Sequence, residues 1–386
     1  MSTQYMPRHK LMHSQNETAS GCANFFAAGS QHTKNEMHLE ITELSSCDEE
    51  IGIFLDTLSR TVPSVLGYHY PFYRDMLLEI GLGKPIYLGA HLNGKLIGLL
   101  PAFAFASEAG IVYSSLPFFG PNAGVLCDTD EKRTEIHSAL LHALLTHAHR
   151  AGALSCSIYT PFLFDEFNLY DAVMPHAIIV NKFTQYLDIE SVNWRHGTLG
   201  KALRKAERAG VTIVTEVTPE RIETFYAIYG QNCAEFGIPQ KPKNCVEFLS
   251  RPDMIGQHTD IYFAFHEGEM IGGLLILRSP LTISYYIPCS LPNVRILHPG
   301  DILIHRAMQD ARGRGLRFWN WESSPSRDSG VYRFKKKWGA VESPYRIYVQ
   351  PFQPSETFKE LGKKRIAKHF PFYFVYPFER LPTEGT

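Results

Sequence analysis

The sequence of 386 residues has no apolar run approaching the roughly 18 residues that a membrane-spanning helix needs, so no helical span is expected. Its first ten residues, Met1 to Lys10, contain no apolar core and do not read as a secretory signal. Charge imbalance is also missing. The 38 Lys and Arg nearly cancel the 39 Asp and Glu, which leaves a formal net charge of -1. Affinity for nucleic acid or phosphate must then come from local patches. None of the seven cysteines forms a C-x-x-C pair. Their odd number and wide spacing suit reduced thiols better than a disulfide or zinc framework. The 17 histidines include no H-E-x-x-H, and His137, His142, His147 and His149 are too loosely spaced for a ligand set, so no metal is expected. No G-x-S-x-G elbow occurs, which argues against a hydrolase-type acyl-enzyme. These absences point to a cytoplasmic protein.

What is present suits a globular chain. Hydrophobic residues make up 44%, enough for packed cores, and the length suits two domains. Residues 1–37 are rich in Gln, Asn, Ser, His and Thr and read as a mobile leader. A helix is expected from Asp48 to about Arg60 and a short one over Tyr70–Leu77. Ile86–Leu92 and Lys95–Phe105 read as strands joined by Asn93-Gly94, a strong hairpin signal. A third strand covers Gly110–Ser115, and a glycine-bearing loop spans Phe119–Gly124. A helix follows over Glu131–Arg150, with Ile136, Leu140, Leu141, Leu144 and Leu145 at helical spacing.

The same order returns later in the chain. Ile261–His266, a turn at Glu267-Gly268, Met270–Leu277 and Thr282–Pro288 read as strands; Asp301 to about Arg312 is a helix and Leu316–Glu322 a further strand. Ile86-Tyr87 aligns with Ile261-Tyr262, His91 with His266, Gly94 with Gly268, and Leu96-Ile97-Gly98 with Met270-Ile271-Gly272, given one residue of gap in the turn. Five kinds of element in one order favour a duplicated domain over chance likeness. The fold class expected is α/β (α+β), with two tandem domains, each a mixed sheet flanked by helices. They span 38–190 and 191–350, meeting near Asp188–Asn193. A basic, aromatic tail follows at 351–386. In it Lys363, Lys364, Arg365 and Lys368 precede Phe370–Phe378. Such a tail suits a peripheral membrane contact or a partner groove, although packing on its own domain or a twin subunit is the commoner outcome.

The second half carries the motifs. Lys201–Val211 reads as a basic helix leading into a strand, Val211–Val217. Thr218-Pro219-Glu220 starts the next helix with a capping threonine, a first-turn proline and an acid. Then come Phe225–Tyr229, Phe236-Gly-Ile-Pro239, Phe318–Ser324 and Gly330–Gly339. In that order these segments resemble the FemAB-like branch of the GNAT acyltransferase superfamily. The likeness is motif-level from about 195 to 345 and architectural from about 40 to 350.

The resemblance implies two tandem GNAT-type domains. It also implies an N-acyltransferase moving an acyl or aminoacyl group from an activated carrier to an amine of a sugar, peptide or cell-envelope precursor. The co-substrate would be acyl-CoA, acyl carrier protein or aminoacyl-tRNA, with no tightly bound cofactor. Two departures matter. There is no room for the long helical arm of many peptide-extending members, which favours acyl-CoA or acyl carrier protein over a tRNA-dependent peptidyltransferase. The segment Arg295–Asp301 stands where the pyrophosphate loop belongs but lacks the usual glycine pair. That keeps a non-catalytic double-GNAT binding module in play.

Acyl transfer to an amine needs donors for a tetrahedral oxyanion and a route for the amine proton. Read as a helix, Ser329–Gly339 turns Val331, Phe334 and Trp338 to the core and Tyr332, Lys335 and Lys336 to another face. By resemblance Lys335, the lysine after Phe334, stabilises the reacting acyl group, with Tyr332 beside it. A solvated lysine face is the competing reading. Alternation along Leu316–Glu322 sets Phe318, Asn320 and Glu322 on one side and Trp319 and Trp321 on the other. Glu322 is the candidate proton acceptor, unless it is a strand-end carboxylate paired with a lysine. Tyr285 and Tyr286 lie on the strand where GNAT-type folds splay, and one of them is expected in the cleft with Asn320, unless it is a core tyrosine. Pro299-Gly300-Asp301 opens a helix and, with Arg295, is the candidate seat for a co-substrate phosphate. Lys201, Arg204, Lys205 and Arg208 repeat at three- and four-residue spacing and form one basic stripe. It is either a contact for a nucleotide-linked, tRNA or phosphopantetheine partner or a solvated face.

Overall fold

The computed structural model describes residues 38–381, apart from 45, 119–121 and 195. The expected leader at 1–37 and part of the Phe119–Gly124 loop lie outside the described residues.

The first half contributes β1 (Leu39–Glu43), α1 (Asp48–Leu58), α2 (Pro71–Glu79), β2 (Lys84–Pro85), β3 (Leu88–Leu92), β4 (Lys95–Leu100), β5 (Phe103–Ser107), β6 (Gly110–Ser114), β7 (Leu126–Cys127), α3 (Arg133–Arg150), β8 (Ser155–Tyr159), α4 (Asn168–Val173) and β9 (Ile178–Asp188). The second contributes α5 (Gly197–Arg208), β10 (Thr212–Val214), α6 (Pro219–Phe236), α7 (Lys243–Leu249), β11 (Thr259–His266), β12 (Glu269–Arg278), β13 (Thr282–Ser290), α8 (Pro299–Gly313), β14 (Phe318–Ser323), α9 (Gly330–Lys337), β15 (Val341–Pro351) and α10 (Ser355–His369). The threonine expected to start α6 does so: Thr218 Oγ1 accepts the Arg221 N–H at 3.3 Å.

Eleven of these strands form one sheet in the order β10-β11-β12-β13-β14-β9-β15-β8-β6-β5-β2, and four form a small sheet, β1-β3-β4-β7. The halves exchange strands at the centre of the large sheet. β9 of the first half is inserted between β14 and β15, and β15 of the second is inserted between β9 and β8. They pair antiparallel from Val341↔Tyr186 to Val349↔Ile178. The expected division near Asp188–Asn193 is thus a chain crossing rather than a gap between two closed sheets.

The repeat is visible in backbone detail. Both hairpins close on two residues at positive φ, Asn93 (52) and Gly94 (77), then Glu267 (52) and Gly268 (84), as the tight primed turn of a hairpin requires. Both carry a register shift three positions before the turn, at Ala90/His91 and Ala264/Phe265. Leu96-Ile97-Gly98 and Met270-Ile271-Gly272 are equivalent. His91 matches Phe265, however, and His266 matches Leu92. No gap is needed, because the two turns are equally long.

One other expectation changes. Lys95–Phe105 is not one strand. Pro101 and Ala102 interrupt it, so β4 pairs in the small sheet and β5 in the large one. The C-terminal segment takes the commoner of its expected outcomes: its aromatic run packs on the chain itself, while Lys363, Lys364, Arg365 and Lys368 stay exposed. α10 breaks at Gly362 (φ 71), and Phe370, Tyr373, Val375 and Tyr376 are buried. Tyr373 OH donates to the Leu82 carbonyl at 2.6 Å, while Ser155 and Ser157 on β8 donate to the Val375 and Phe374 carbonyls. No described helix is long and apolar enough to cross a membrane.

Strand exchange makes each half dependent on the other. Residues 38–190 expressed alone would leave β8 and β9 without β15. They are expected to aggregate or stay unfolded, and co-expression with 191–381 should restore a soluble complex. Far-UV circular dichroism and gel filtration read the outcome; an independently folded 38–190 fragment would show that the exchange is dispensable.

Candidate active site

The site begins on β14. Alternation turns Trp319 and Trp321 to one face, where both are fully buried with Tyr285, Phe334 and Trp338 around them. Asn320 and Glu322 therefore face the other way, toward the first half. β13 and β14 pair in parallel at only three positions, ending at Ser284↔Asn320. Beyond that point they separate. A bulge in the β12–β13 ladder sets Tyr286 out of register, and Glu322 takes a φ of 61. A glutamate in that region costs on the order of 1–3 kcal/mol. Asn320 holds it there: its Oδ1 accepts the Glu322 N–H at 3.0 Å and its Nδ2 donates to Glu322 Oε1 at 2.8 Å.

The same kink interrupts the β14–β9 ladder between Asn320 and Ser323. Lys335 Nζ donates to the Glu322 and Ser323 carbonyls at 3.0 and 2.8 Å. Lys335 is only 3% exposed, whereas Val331, expected inward, is 42% exposed. The correction has a simple cause. α9 has eight residues, and burial concentrates at its C-terminal end around Lys335 and Trp338.

Other groups converge on Glu322. Tyr68 OH donates to Oε1 at 2.8 Å, and the Tyr68 ring meets Tyr73 edge-on at 5.1 Å. Tyr73 OH lies 3.4 Å from Tyr286 OH. Lys241 Nζ sits 4.3 Å from the Phe118 ring centre and 5.0 Å from that of Tyr286. Cys245 Sγ is 3.9 Å from Tyr286 OH. A contact cluster thus joins Tyr68, Tyr73 and Phe118 of the first half to Lys241, Tyr286 and Glu322 of the second.

Tyr68, Tyr73, Phe118 and Lys241 escape sequence reasoning. The aromatic density of Gly67–Tyr73 and the placement of Lys241 two residues after Pro239 are the only traces, and neither specifies a cleft. Seven expected site residues lie elsewhere. Tyr332 OH donates to Glu342 at 2.7 Å, and Arg327 binds the same carboxylate, so the phenol is committed on the β15 side. Tyr285 belongs to the tryptophan core. Arg295 is held by both oxygens of Glu235. Asp301 is buried, accepting from Lys337 Nζ at 2.5 Å with His298 Nδ1 at 3.1 Å. Pro299 and Gly300 open α8 beside this ion pair, and no side chain caps the helix. Arg204 and Lys205 are exposed on α5.

Burial dominates the electrostatics. It raises the Glu322 carboxyl to about 7, against the lowering effects of the Tyr68 hydrogen bond and the Lys335 charge. It lowers the Lys335 amine to about 7, opposed by Glu322. Burial also lowers Lys241, with Cys245 and Glu322 opposing. Tyr68, Tyr73 and Tyr286 are raised by burial and stay neutral phenols. Glu322 and Lys335 therefore form a coupled pair titrating near neutrality. A carboxylate of that kind can take a proton from an amine near pH 7.

The coupling has a sign. Replacing Glu322 with Gln removes the charge that raises Lys335, so the amine should titrate lower still. Lys335→Met removes the charge that lowers Glu322, so the carboxyl should titrate above 7. Site-resolved NMR titration of labelled side chains checks both shifts. Unmoved values in either variant would show that the two groups are not electrostatically coupled.

Comparison with known proteins places this geometry. Residues 195–322 match the family model described as the acetyltransferase (GNAT) domain. None of the curated proteins compared matches the chain. Among solved structures, FemX superposes with a TM-score of 0.59 at 13% identity, covering 75% of this chain and 94% of that one. The C-terminal domain of a protein described as a lysylphosphatidylglycerol synthetase, from Agrobacterium fabrum, gives 0.54 at 14% identity over 83% and 96%. A tandem GNAT protein from the clavulanic acid biosynthesis pathway gives 0.52 at 15% identity over 82% and 99%. At such identities the structural matches speak to fold, and the family model speaks to the catalytic type of the second half. Residues 195–322 thus carry a GNAT-type acyltransferase domain, and the chain as a whole has the fold of FemX and of the tandem GNAT protein.

Proposed function

We propose that the protein transfers an acyl group from a thioester to an amine in the cleft between its halves, with Glu322 as proton acceptor and Lys335 as oxyanion stabiliser. The observation that carries this is the buried Lys335, bonded to the Glu322 carbonyl beside a half-buried Glu322 carboxyl, at the point where β13 and β14 separate. The acceptor amine attacks the thioester carbonyl and forms the C–N bond. Its proton passes to the Glu322 carboxylate, the C–S bond breaks, and the sulfur leaves as a thiol carrying the released proton. Two Lys335 N–H groups are spent on the Glu322 and Ser323 carbonyls. An ammonium has a third, and that one is available to the oxyanion.

Lys241 defines the acceptor further. Its ammonium rests against two aromatic rings, an arrangement suited to an anionic group carried beside the reacting amine. A precursor bearing a carboxylate or phosphate, such as an amino sugar phosphate or a peptide, fits that chemistry. The donor reading follows from α8. With Arg295 held by Glu235 before its first turn, the segment offers no free cation to a CoA pyrophosphate, which favours a thioester held by a carrier protein. One structural neighbour is named as a lysylphosphatidylglycerol synthetase, so aminoacyl transfer from tRNA is the second reading. Each reading suits a cytoplasmic enzyme.

Purified protein offered acyl-CoA, loaded acyl carrier protein and charged tRNA, each with amine acceptors, separates these readings by mass-spectrometric detection of product. No product from any donor, with tight binding of one, would make the chain a binding module. Lys335→Ala should lower kcat/KM on the order of 10²-fold, as loss of an oxyanion donor does; a fully active variant refutes its role. Glu322 must be ionised and Lys335 protonated, so kcat/KM should follow a narrow bell centred near pH 7. Glu322→Gln should remove the acid limb and most of the rate.

A further inference from the structure

One face of the second half takes no part in the cleft. α5 buries Leu199, Ala202, Leu203 and Ala206 and turns Lys201, Arg204, Lys205 and Arg208 to solvent. Arg204 has a partner within the chain, whereas Lys201, Lys205 and Arg208 show none among the described residues. Their stripe spans one helix face about 10 Å long, at 1.5 Å per residue. α5 packs on α8 and on the 3-10 turn Pro292–Leu297. That turn leaves the end of β13 and leads into α8, so it lies past the point where β13 and β14 separate. Ile296 on the turn is 66% exposed. A short basic stripe and a bare aliphatic side chain thus lie on neighbouring, packed elements.

We propose that this face docks an acidic acyl carrier protein, which presents its thioester to the separation between β13 and β14. The proposal rests on the acyl-transfer reading above and names the donor's carrier. Three observations favour a protein over tRNA. The stripe is one helix face, whereas a nucleic-acid surface follows the phosphate backbone over a longer track. The chain has a pI near 7.0, while nucleic-acid-binding domains commonly exceed about 9. Ile296 offers an apolar contact, which a protein interface uses at its core and a phosphate backbone does not. Free CoA lacks a protein body to meet both the stripe and Ile296.

The test is equilibrium binding of the full chain to a purified, acyl-loaded acyl carrier protein, and separately to total tRNA, by surface plasmon resonance. The carrier should bind, and its affinity should fall at least tenfold between about 50 and about 300 mM salt. Lys201→Glu combined with Arg208→Glu should weaken carrier binding roughly tenfold or more, the milder Lys201→Gln with Arg208→Gln less, and Ile296→Asp should also weaken it. Unchanged circular dichroism shows that the exposed substitutions leave the fold intact. No carrier binding, carrier binding indifferent to these substitutions, or tRNA binding that the charge reversal abolishes overturns the proposal. Binding is read without turnover. A chain that docks the carrier but transfers nothing refutes the catalytic reading alone, and a chain that uses small thioesters but ignores the carrier refutes the docking alone.

Discussion

The exchange of β9 and β15 is the constraint on which the rest of the structure depends. A sheet edge left unpaired exposes a row of backbone donors and acceptors, and each half would have such an edge alone. By inserting one strand into the other's sheet, the halves become a single eleven-stranded layer. The candidate site then follows. Tyr68 and Tyr73 approach Glu322 and Tyr286 because the two sheets are one, and a core runs through both halves from Leu44 to Tyr376. The C-terminal segment extends the same logic. It runs back along β8, and its Phe372 meets Phe118, the ring beneath Lys241.

Within that frame the chemistry depends on one kinked strand end. The buried tryptophans fix the side on which Glu322 emerges. Asn320 then holds a backbone conformation that an unsupported glutamate would abandon, and the kink presents two carbonyls to Lys335. Burial accounts for the rest. It brings a carboxylate and an amine, whose free pKa values lie about six units apart, to nearly the same value. A carboxyl group in that state can accept a proton near neutral pH.

The periodic signals in the sequence had local causes and were legible for that reason. The hairpin turns, the Thr218 cap and the tryptophan alternation depend on neighbours a few residues away. Asn320, Glu322 and Lys335 could be named from their motifs and alternation. Tyr332 and Val331 went wrong because an eight-residue helix has too few turns for spacing to say which side meets the core. Arg295 and Asp301 sit where a phosphate seat belongs, but their partners Glu235 and Lys337 are 60 and 36 residues away, and nothing local announces them.

The sequence by itself determined a duplicated α/β chain, its paired hairpins, and a carboxylate and a lysine on adjoining elements near its end. These follow from periodicity and turn chemistry, which act over one or two turns of backbone. Only the tertiary structure decided that the halves exchange strands, that Tyr68, Tyr73, Phe118 and Lys241 join the site, and that Glu322 and Lys335 titrate together. Those outcomes depend on contacts between residues up to 254 positions apart and on the exclusion of water that such contacts bring. Neither is encoded at short range.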